Sequence, residues 1–373
     1  MKLLMISGDK SLAEVKRGAF YNTLEEFHKY WDRIDIIIPK VSSPHLSANY
    51  FGNVFIHPSP WPKIWQPFWI LKRGQEIYRD QKFDLMTVHE YPPFYNGIGA
   101  RLLWQKIKVP YVLEIHHIPG YPKAADFKEK LYRWLTRLFI KYDSLKVKAV
   151  RVVNKKQVRE FLLESGVSEG KIAYIPSFYI DLDTFKPLNL GKKYDLIFVG
   201  RLVKNKGLNL LIDSLKILNI KYNMRDTKLL IVGDGPEKKK LEVRSERLEL
   251  KDNVMFYGWA KDPEEIAKLM NQSKILIVPS YNEGGPRTLL EAMACGIPVI
   301  ATPVGIIPDI IEDKKSGRII NWDGNDIAEK AFELLNNLED YKKYSVAGLE
   351  IVKNFEKKAA IKNYAEGLLS LIK

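Results

Sequence analysis

Residues 274–302, KILIVPSYNEGGPRTLLEAMACGIPVIAT, constrain the fold more tightly than any other stretch of the chain. An apolar, β-branched run over 274–278 has the length of a strand, and 281–285 carry turn chemistry. Pro286 stands where proline suits the first position of a helix, since the missing N–H costs nothing there. Gly296 supplies a left-handed stop before Pro298 and a second short strand over 299–301. Strand, loop, helix and strand in this order form one βαβ unit, with Glu283 in the loop and Glu291 on the helix.

That placement has chemical content. The open N–H groups and positive dipole end of the helix around Gly285, Arg287 and Thr288 suit an anion such as a phosphate. Glu291 lies roughly 5 Å further along the helix, about the distance from a diphosphate to a ribose diol. Glu283, on the other side of the helix start, faces whatever the far phosphate carries, and a sugar ring is a natural match. A nucleotide sugar therefore fits the loop. A plain βαβ unit whose glutamates are solvated helix-end charges fits the same pattern.

The 373 residues suggest two domains, and a 46% hydrophobic content is enough for two cores. No run reaches the roughly 18–20 apolar residues of a membrane span, and residues 1–6 are too short for a signal peptide, so a cytoplasmic protein is expected. The single cysteine, Cys295, excludes an internal disulfide and reads as a buried structural thiol. The net charge of +14 is uneven: residues 1–190 hold 29 basic against 19 acidic side chains, and residues 101–150 alone hold 11 against 4. An acidic partner for the first half follows, whether anionic membrane, phosphorylated substrate or nucleic acid. Nucleic acid is the weakest of these, because no reading helix or stacking sheet is recognisable.

The first half alternates strands (2–7, 34–39, 53–57, 83–88, 111–115, 147–154 and 172–176) with helices over 18–30, 127–142 and 155–165. Such alternation predicts a parallel sheet with helices on both faces, where ligands collect at the C-terminal strand ends. Gly8, His89 and His116 stand at such ends, and Gly18 opens a helix where a backbone could approach a ligand. His116 and His117 point to opposite faces if the strand persists, so they cannot share a metal, and no other metal-ligand spacing is present. The aromatic run over 61–73 and the basic helix within 123–148 are both candidates for an anionic membrane surface. In that helix Leu131, Trp134, Leu135, Leu138 and Phe139 are apolar, and Lys128, Lys130, Arg133, Arg137 and Lys141 line the rest. The competing reading is a domain helix that buries its apolar stripe.

After a linker over 187–193 the second half restarts with a strand over 194–199, the turn GRLVKNKG and a helix over 208–218. Arg201 and Lys206 in that turn suit the two sides of a diphosphate, one as a fork and the other as a point charge. Further strands follow over 228–232, 253–256 and 318–321, with helices over 238–248 and 263–271 and a last amphipathic helix over 355–373. GDGP at 233–236 lacks the spacing of a dinucleotide fingerprint and reads as a tight structural turn.

GRLVKNKG, GDGP, the YGW at 257–259 and above all NEGGPRTLLEAMACGIPVIAT resemble the signature of the family 4 retaining glycosyltransferases of GT-B architecture. The first half resembles the family more loosely, through VHE at 88–90 and EIH ending at His116. The resemblance implies an α/β fold of two Rossmann-like parallel-sheet domains facing across a cleft. They comprise an acceptor domain over 1–186, a nucleotide-sugar domain over 187–354 and a helix over 355–373 returning to the first domain. It further implies that Arg201 and Lys206 bind and stabilise the donor diphosphate and that Glu291 holds the ribose. Glu283 contacts the sugar near its anomeric carbon, Gly284, Gly285 and Thr288 complete the cradle, and His116 reaches the same sugar. Gly18 and His89 are the implied acceptor contacts. The implied reaction is transfer from a UDP- or GDP-sugar to a glycan or lipid-linked acceptor with retention of configuration. It needs no metal or other cofactor, and the protein is cytoplasmic, possible membrane contact being peripheral. A phosphorolytic enzyme and a non-catalytic nucleotide-sugar binder on the same scaffold are the alternatives. Two departures from the family pattern bear on the acceptor side: one glycine in the first loop in place of a pair, and SFYID at 177–181 in place of NGVD.

Overall fold

The strands of the first half are apolar on both faces, as in Leu3, Leu4, Met5 and Ile6, all buried, and such strands belong in a parallel sheet covered by helices on each side. The computed structural model describes residues 1–14, 18–42 and 49–372. It divides into two units, Met1–Ile118 with Tyr132–Ser177 and Lys358–Lys373, and Pro119–Leu131 with Phe178–Lys357. Residues 15–17 of the expected first loop and residue 373 of the expected last helix lie outside the described residues.

In the first unit, β1 (Lys2–Ile6), β2 (Arg33–Ile38), β3 (Asn49–Tyr50), β4 (Val54–Pro58), β5 (Leu85–His89), β6 (Tyr111–Ile115), β7 (Ala149–Val152) and β8 (Ile172–Tyr174) form one sheet. Its order is β3-β4-β2-β1-β5-β6-β7-β8, parallel throughout except for β3. The helices in this part of the chain are α1 (Ala19–Phe27), α2 (Gln66–Gln81), α3 (Tyr95–Ile107), α4 (Phe127–Asp143) and α5 (Gln157–Glu164). The sequence reading does not place α2 and α3. Gly74, Gly97 and Gly99 lower helix propensity there, and the structure shows their use. A Cβ on Gly74 would lie 2.3 Å from Leu103, and one on Gly99 would lie 2.7 Å from Ile70, so α2 and α3 pack too closely for larger residues.

The second unit has β9 (Tyr194–Val199), β10 (Leu229–Val232), β11 (Val254–Gly258), β12 (Ser273–Val278), β13 (Val299–Ala301) and β14 (Arg318–Ile319), in the order β11-β10-β9-β12-β13-β14. Its helices are α6 (Leu208–Lys221), α7 (Lys238–Arg247), α8 (Pro263–Asn271), α9 (Arg287–Ala294), α10 (Ile307–Ile310), α11 (Gly324–Asn336) and α12 (Leu338–Val352). The chain ends with α13 (Lys357–Ser370), nearly all of it in the first unit. Expected strands over 111–115, 194–199 and 299–301 and the helix over 263–271 coincide with the observed elements. Gly296 takes φ +70, as a helix stop before Pro298 requires, and Cys295 is buried with its thiol pushed up to about 12 by desolvation.

The division between units falls after Ser177, not after residue 186. The reason is apolar: Ile180 and Phe185 join the core of the second unit, with Phe178 and Leu182 packed against it. Residues 119–131 also belong to the second unit, which no feature of their composition announces.

One pair of acidic side chains in the first unit sits where charge is costly. A Cβ on Gly97 would lie 2.0 Å from Glu90 Oε2 and 3.2 Å from Asp143 Oδ2, so the two buried carboxyl groups crowd one point. Among the described residues neither Asp143 oxygen has a hydrogen-bond partner. Burial, and then Asp143, push Glu90 well above the carboxylate range, and burial pushes Asp143 up to about 7 against the pull of Arg101. Both groups hold their protons in the folded state where the unfolded chain has released them. The resulting stabilisation is present at low pH and is lost as pH rises through about 7. Asp143→Asn is expected to flatten the fall in urea-denaturation stability between about pH 4 and pH 7, the span between the unfolded and folded values, since each unit of displacement is about 1.4 kcal/mol. A slope equal to that of the unaltered protein contradicts the assignment.

Candidate active site

In the second unit β9 runs into the turn at 200–207, and Gly207 opens α6 in the left-handed region with φ +68. A Cβ there would lie 2.0 Å from the carbonyl oxygen of Pro279, so the turn closes directly on the loop that follows β12. Tyr281 N donates to Asn205 O at 2.8 Å, and Asn205 Nδ2 donates to Asn282 O at 3.3 Å. The GDGP turn braces the turn at 200–207 from its other side. Leu202 N donates to Asp234 O at 2.9 Å and Glu237 N to Leu202 O at 3.0 Å, a structural role as its sequence suggested.

These braces bring the expected side chains together. Lys206 Nζ forms an ion pair with Glu283 Oε1, which also accepts from Ser280 Oγ at 2.8 Å. Ser280 is fully buried, and its carbonyl accepts from Thr302 Oγ1 at 2.6 Å and from Trp322 Nε1 at 2.8 Å. Glu283 is thus held by a lysine on one side and a fixed hydroxyl on the other. Arg201 is exposed, and among the described residues no acidic side chain pairs with it. Two cations and one carboxylate leave a net positive charge at the turn.

α9 begins at Arg287, with Pro286 as its extended N-cap and not as its first helical residue. Gly284, Gly285 and Thr288 are all half-buried around this helix start, and the Phe178 ring lies so close that a Cβ on Gly285 would meet it at 2.0 Å. Further along, Glu291 Oε2 is buried with no hydrogen-bond partner among the described residues, although the residue as a whole keeps some accessible surface. Burial pushes its carboxyl up to about 7, and the Arg287 guanidinium pulls the other way. An orphaned carboxylate oxygen of this kind is incomplete without a hydrogen-bond donor.

Residues 119–131 contribute a support that the sequence does not signal. Asn282 Nδ2 donates to Lys123 O at 2.9 Å and to Glu129 Oε2 at 2.8 Å, and Lys204 pairs with Asp126 at 3.6 Å. Both loops of the cationic turn are therefore tied to this segment.

In the first unit His89, Glu114 and Arg151 share one rung of adjacent parallel strands, His89 opposite Glu114 and Glu114 opposite Arg151. Arg151 Nη1 lies 2.8 Å from Glu114 Oε1 and 3.1 Å from His116 Nε2, and His89 Nε2 lies 2.8 Å from Glu114 Oε2. Tyr364 on α13 donates to Glu114 Oε1 at 2.8 Å. Burial opposes ionisation of Glu114, but Arg151 and His89 outweigh it and hold the carboxyl well below its usual range. The ligand atoms of His89, Glu114 and His116 lie within 4.8 Å of one another, the spacing of a metal site. The Arg151 guanidinium already occupies Glu114 and His116, so the group is an ion-pair network built around a fixed cation.

His89, an expected acceptor contact, has Nε2 against Glu114 and Nδ1 3.2 Å from Ser7 Oγ. Gly18 caps α1 in extended backbone open to any residue, and a Cβ there would meet nothing within 4 Å. Glu114, Arg151 and Tyr364 are the site residues that sequence reasoning misses. Two of them carried a signal: a glutamate and an arginine inside otherwise apolar strands must be paired.

Residues 180–363 match the family described as glycosyl transferases group 1, and residues 51–177 match the glycosyl transferase 4-like domain. The chain is 30% identical over 323 residues to an uncharacterised glycosyltransferase of Methanocaldococcus jannaschii, covering 82% of each. Its fold is similar to that of sucrose-phosphate synthase from Thermosynechococcus elongatus, with a TM-score of 0.81, 20% identity and 98% and 97% of the two chains covered. It is also similar to Anabaena HepE, solved in complex with UDP-glucose, with a TM-score of 0.78, 18% identity and 99% and 100% covered. Two Rossmann-like parallel-sheet units and these matches define a GT-B glycosyltransferase. The chain belongs to the group 1 glycosyltransferases of the GT4 type.

The raised carboxyl of Glu291 makes a prediction for the ligand-free protein. The protonated acid is the form that the folded state favours, so its contribution is present at low pH and is lost as pH rises through about 7. Glu291→Gln should melt roughly 3 °C or more above the unaltered protein at pH 8.5 and match it at pH 5, read by thermal denaturation. A lower melting temperature at pH 8.5 contradicts the environment assigned to this oxygen.

Proposed function

We propose that this glycosyltransferase moves a sugar from a UDP- or GDP-sugar to a glycan or lipid-linked acceptor with retention of anomeric configuration. The observation that carries this reading is the meeting, in one unit, of the Lys206–Glu283 pair, the unpaired cation Arg201, the α9 N-terminus and the orphaned Glu291 Oε2. Arg201, Lys206 and the backbone N–H groups of Gly284, Gly285 and the first turn of α9 take the diphosphate, with Thr288 alongside. A ribose hydroxyl donates to Glu291 Oε2 and completes it. Glu283, fixed by Lys206 and Ser280, addresses the sugar near its anomeric carbon. His116 supplies a hydrogen-bond donor to the substrate, and Gly18 and His89 belong to the acceptor side. The complex of HepE with UDP-glucose supports a donor of this class on this fold.

In the reaction the bond from the anomeric carbon to the diphosphate breaks, and the acceptor oxygen bonds to the same face of the sugar. The acceptor proton passes to the leaving diphosphate. Charge on that leaving group is met by Arg201, Lys206 and the helix dipole, so the step calls for no metal or other cofactor.

We place the protein in the cytoplasm, peripherally on an anionic membrane. Among the described residues no helix is long and apolar enough to cross a membrane. α4 buries only Thr136, Ile140 and Asp143 and leaves Trp134, Leu138 and Phe139 exposed beside Arg137 and Lys141. The apolar stripe that a domain helix would bury thus faces outward, as an interfacial helix requires.

A panel of UDP-, GDP- and ADP-sugars is expected to include one that raises the melting temperature, since a ligand bound only by the native state stabilises it. Glu283→Ala and Lys206→Ala should each lower transfer by about two orders of magnitude or more with the fold retained. Near-normal transfer by both variants removes the site, and an inverted anomeric product, read by proton coupling constants, removes retention. Binding to vesicles rich in anionic lipid should weaken with salt and on neutralising Lys128, Lys130, Arg133 and Arg137. Absence of vesicle binding at low salt rejects the membrane assignment.

A further inference from the structure

The contact between Arg151 and His116 fixes the chemistry of an imidazole that the proposed reaction uses. Arg151 is 1% exposed and cannot move its fork freely: Nε donates to Ile175 O at 2.8 Å, Nη1 to Glu114 Oε1 at 2.8 Å, and the guanidinium carbon lies 4.0 Å from the centre of the Tyr364 ring. The same Nη1 lies 3.1 Å from His116 Nε2. A guanidinium has five donors and no acceptor and stays protonated in proteins. His116 Nε2 must therefore be the acceptor, which requires a neutral ring with its proton on Nδ1.

The groups facing His116 from the packed elements agree with this. They are His89 on β5, with ring centres 4.9 Å apart, Glu114 on β6, Arg151 on β7 and Tyr364 on α13 beyond Arg151. Burial, His89 and Arg151 push the imidazole down to about 3, against the pull of Glu114. No described residue accepts from Nδ1, and the residue keeps a partly accessible edge.

We propose that Arg151 is a positioning residue which, by donating to His116 Nε2, holds His116 as its Nδ1–H form, a hydrogen-bond donor to a substrate oxygen and not an acid or base in the transfer. The substrate as ligand rests on the glycosyltransferase reading, whereas the protonation state of the ring does not. Glu114 and Tyr364 act one step further back. The carboxylate, held from β5, β7 and α13, fixes the guanidinium that fixes the imidazole.

The test is long-range proton–nitrogen NMR on the full chain labelled at histidine nitrogen, titrated from pH 5 to 8 without substrate. The expected spectrum shows His116 with an unprotonated Nε2 and a protonated Nδ1 at every pH. A proton on Nε2, or a titration midpoint inside that range, overturns the proposal. The second arm is the double variant Arg151→Met with Glu114→Gln, which removes both partners of the buried pair and so leaves neither charge alone. There nothing holds the proton on Nδ1, and the spectrum should show a substantial fraction of the Nε2–H form that the unaltered protein lacks. The variant's kcat should fall about fivefold at pH 7.5, with KM for the donor changed less than about threefold, because the Nε2–H ring offers an acceptor at Nδ1 and not a donor. An imidazole that keeps its proton wholly on Nδ1 in the variant overturns the role of Arg151. One that changes tautomer while kcat is unaltered overturns the contact with the substrate. If the unaltered protein transfers no sugar from any nucleotide, the functional reading fails and the spectrum still decides the protonation state.

Discussion

The buried carboxylate of Glu114 is the constraint around which the first unit is arranged. An isolated charge at that depth is costly enough to be neutralised or excluded, and here it is met by a guanidinium, an imidazole and a phenol from β7, β5 and α13. Each partner is in turn fixed: Arg151 by a main-chain carbonyl, His89 by Ser7, and Tyr364 by stacking on Phe27 with ring centres 4.8 Å apart. Charged groups that would oppose folding singly are acceptable when paired with one another, and the set defines where three strand ends and one helix must lie. Glu90 and Asp143 are the contrasting case, two buried acids whose cheapest state is the protonated one.

The second unit solves a different problem, the support of a loop that carries charge at its surface. The loop after β12 is held by a main-chain bond and the Asn205 side chain from the turn after β9, by Trp322 and Thr302 on the carbonyl of Ser280, and by Asn282 on residues 119–131. On the proposed function Glu283 needs little rearrangement to meet the donor, and the Lys206 ion pair sets its direction. Such preorganisation lets electrostatic stabilisation act in a transition state without a reorganisation cost at that moment.

What was legible in the sequence follows from how far apart the cooperating residues lie. Glu283, Gly284, Gly285, Thr288 and Glu291 occupy one stretch whose strand, loop and helix can be read from local pattern, and the partner turn is marked by its own glycines. The network around Glu114 joins positions 37 and 250 residues apart, so only the rarity of a charge in a buried strand pointed to it. α2 and α3 escaped because their glycines serve close packing between helices, which propensity counts as a break. The apolar stripe of α4 shows the reverse limit. Its period predicts a helix but not which face is covered, and the covered face is Thr136, Ile140 and Asp143.

The hydrogen bond from Tyr364 to Glu114 also sets an order of events during synthesis. A ribosome adding roughly 5–20 residues per second needs about 12–50 s after Glu114 to deliver its phenol partner. During that interval the second unit is made in full, including both of its signature loops. The first-made half of the chain is thus the last to close, and until α13 arrives the nascent protein carries Glu114 without its full set of partners.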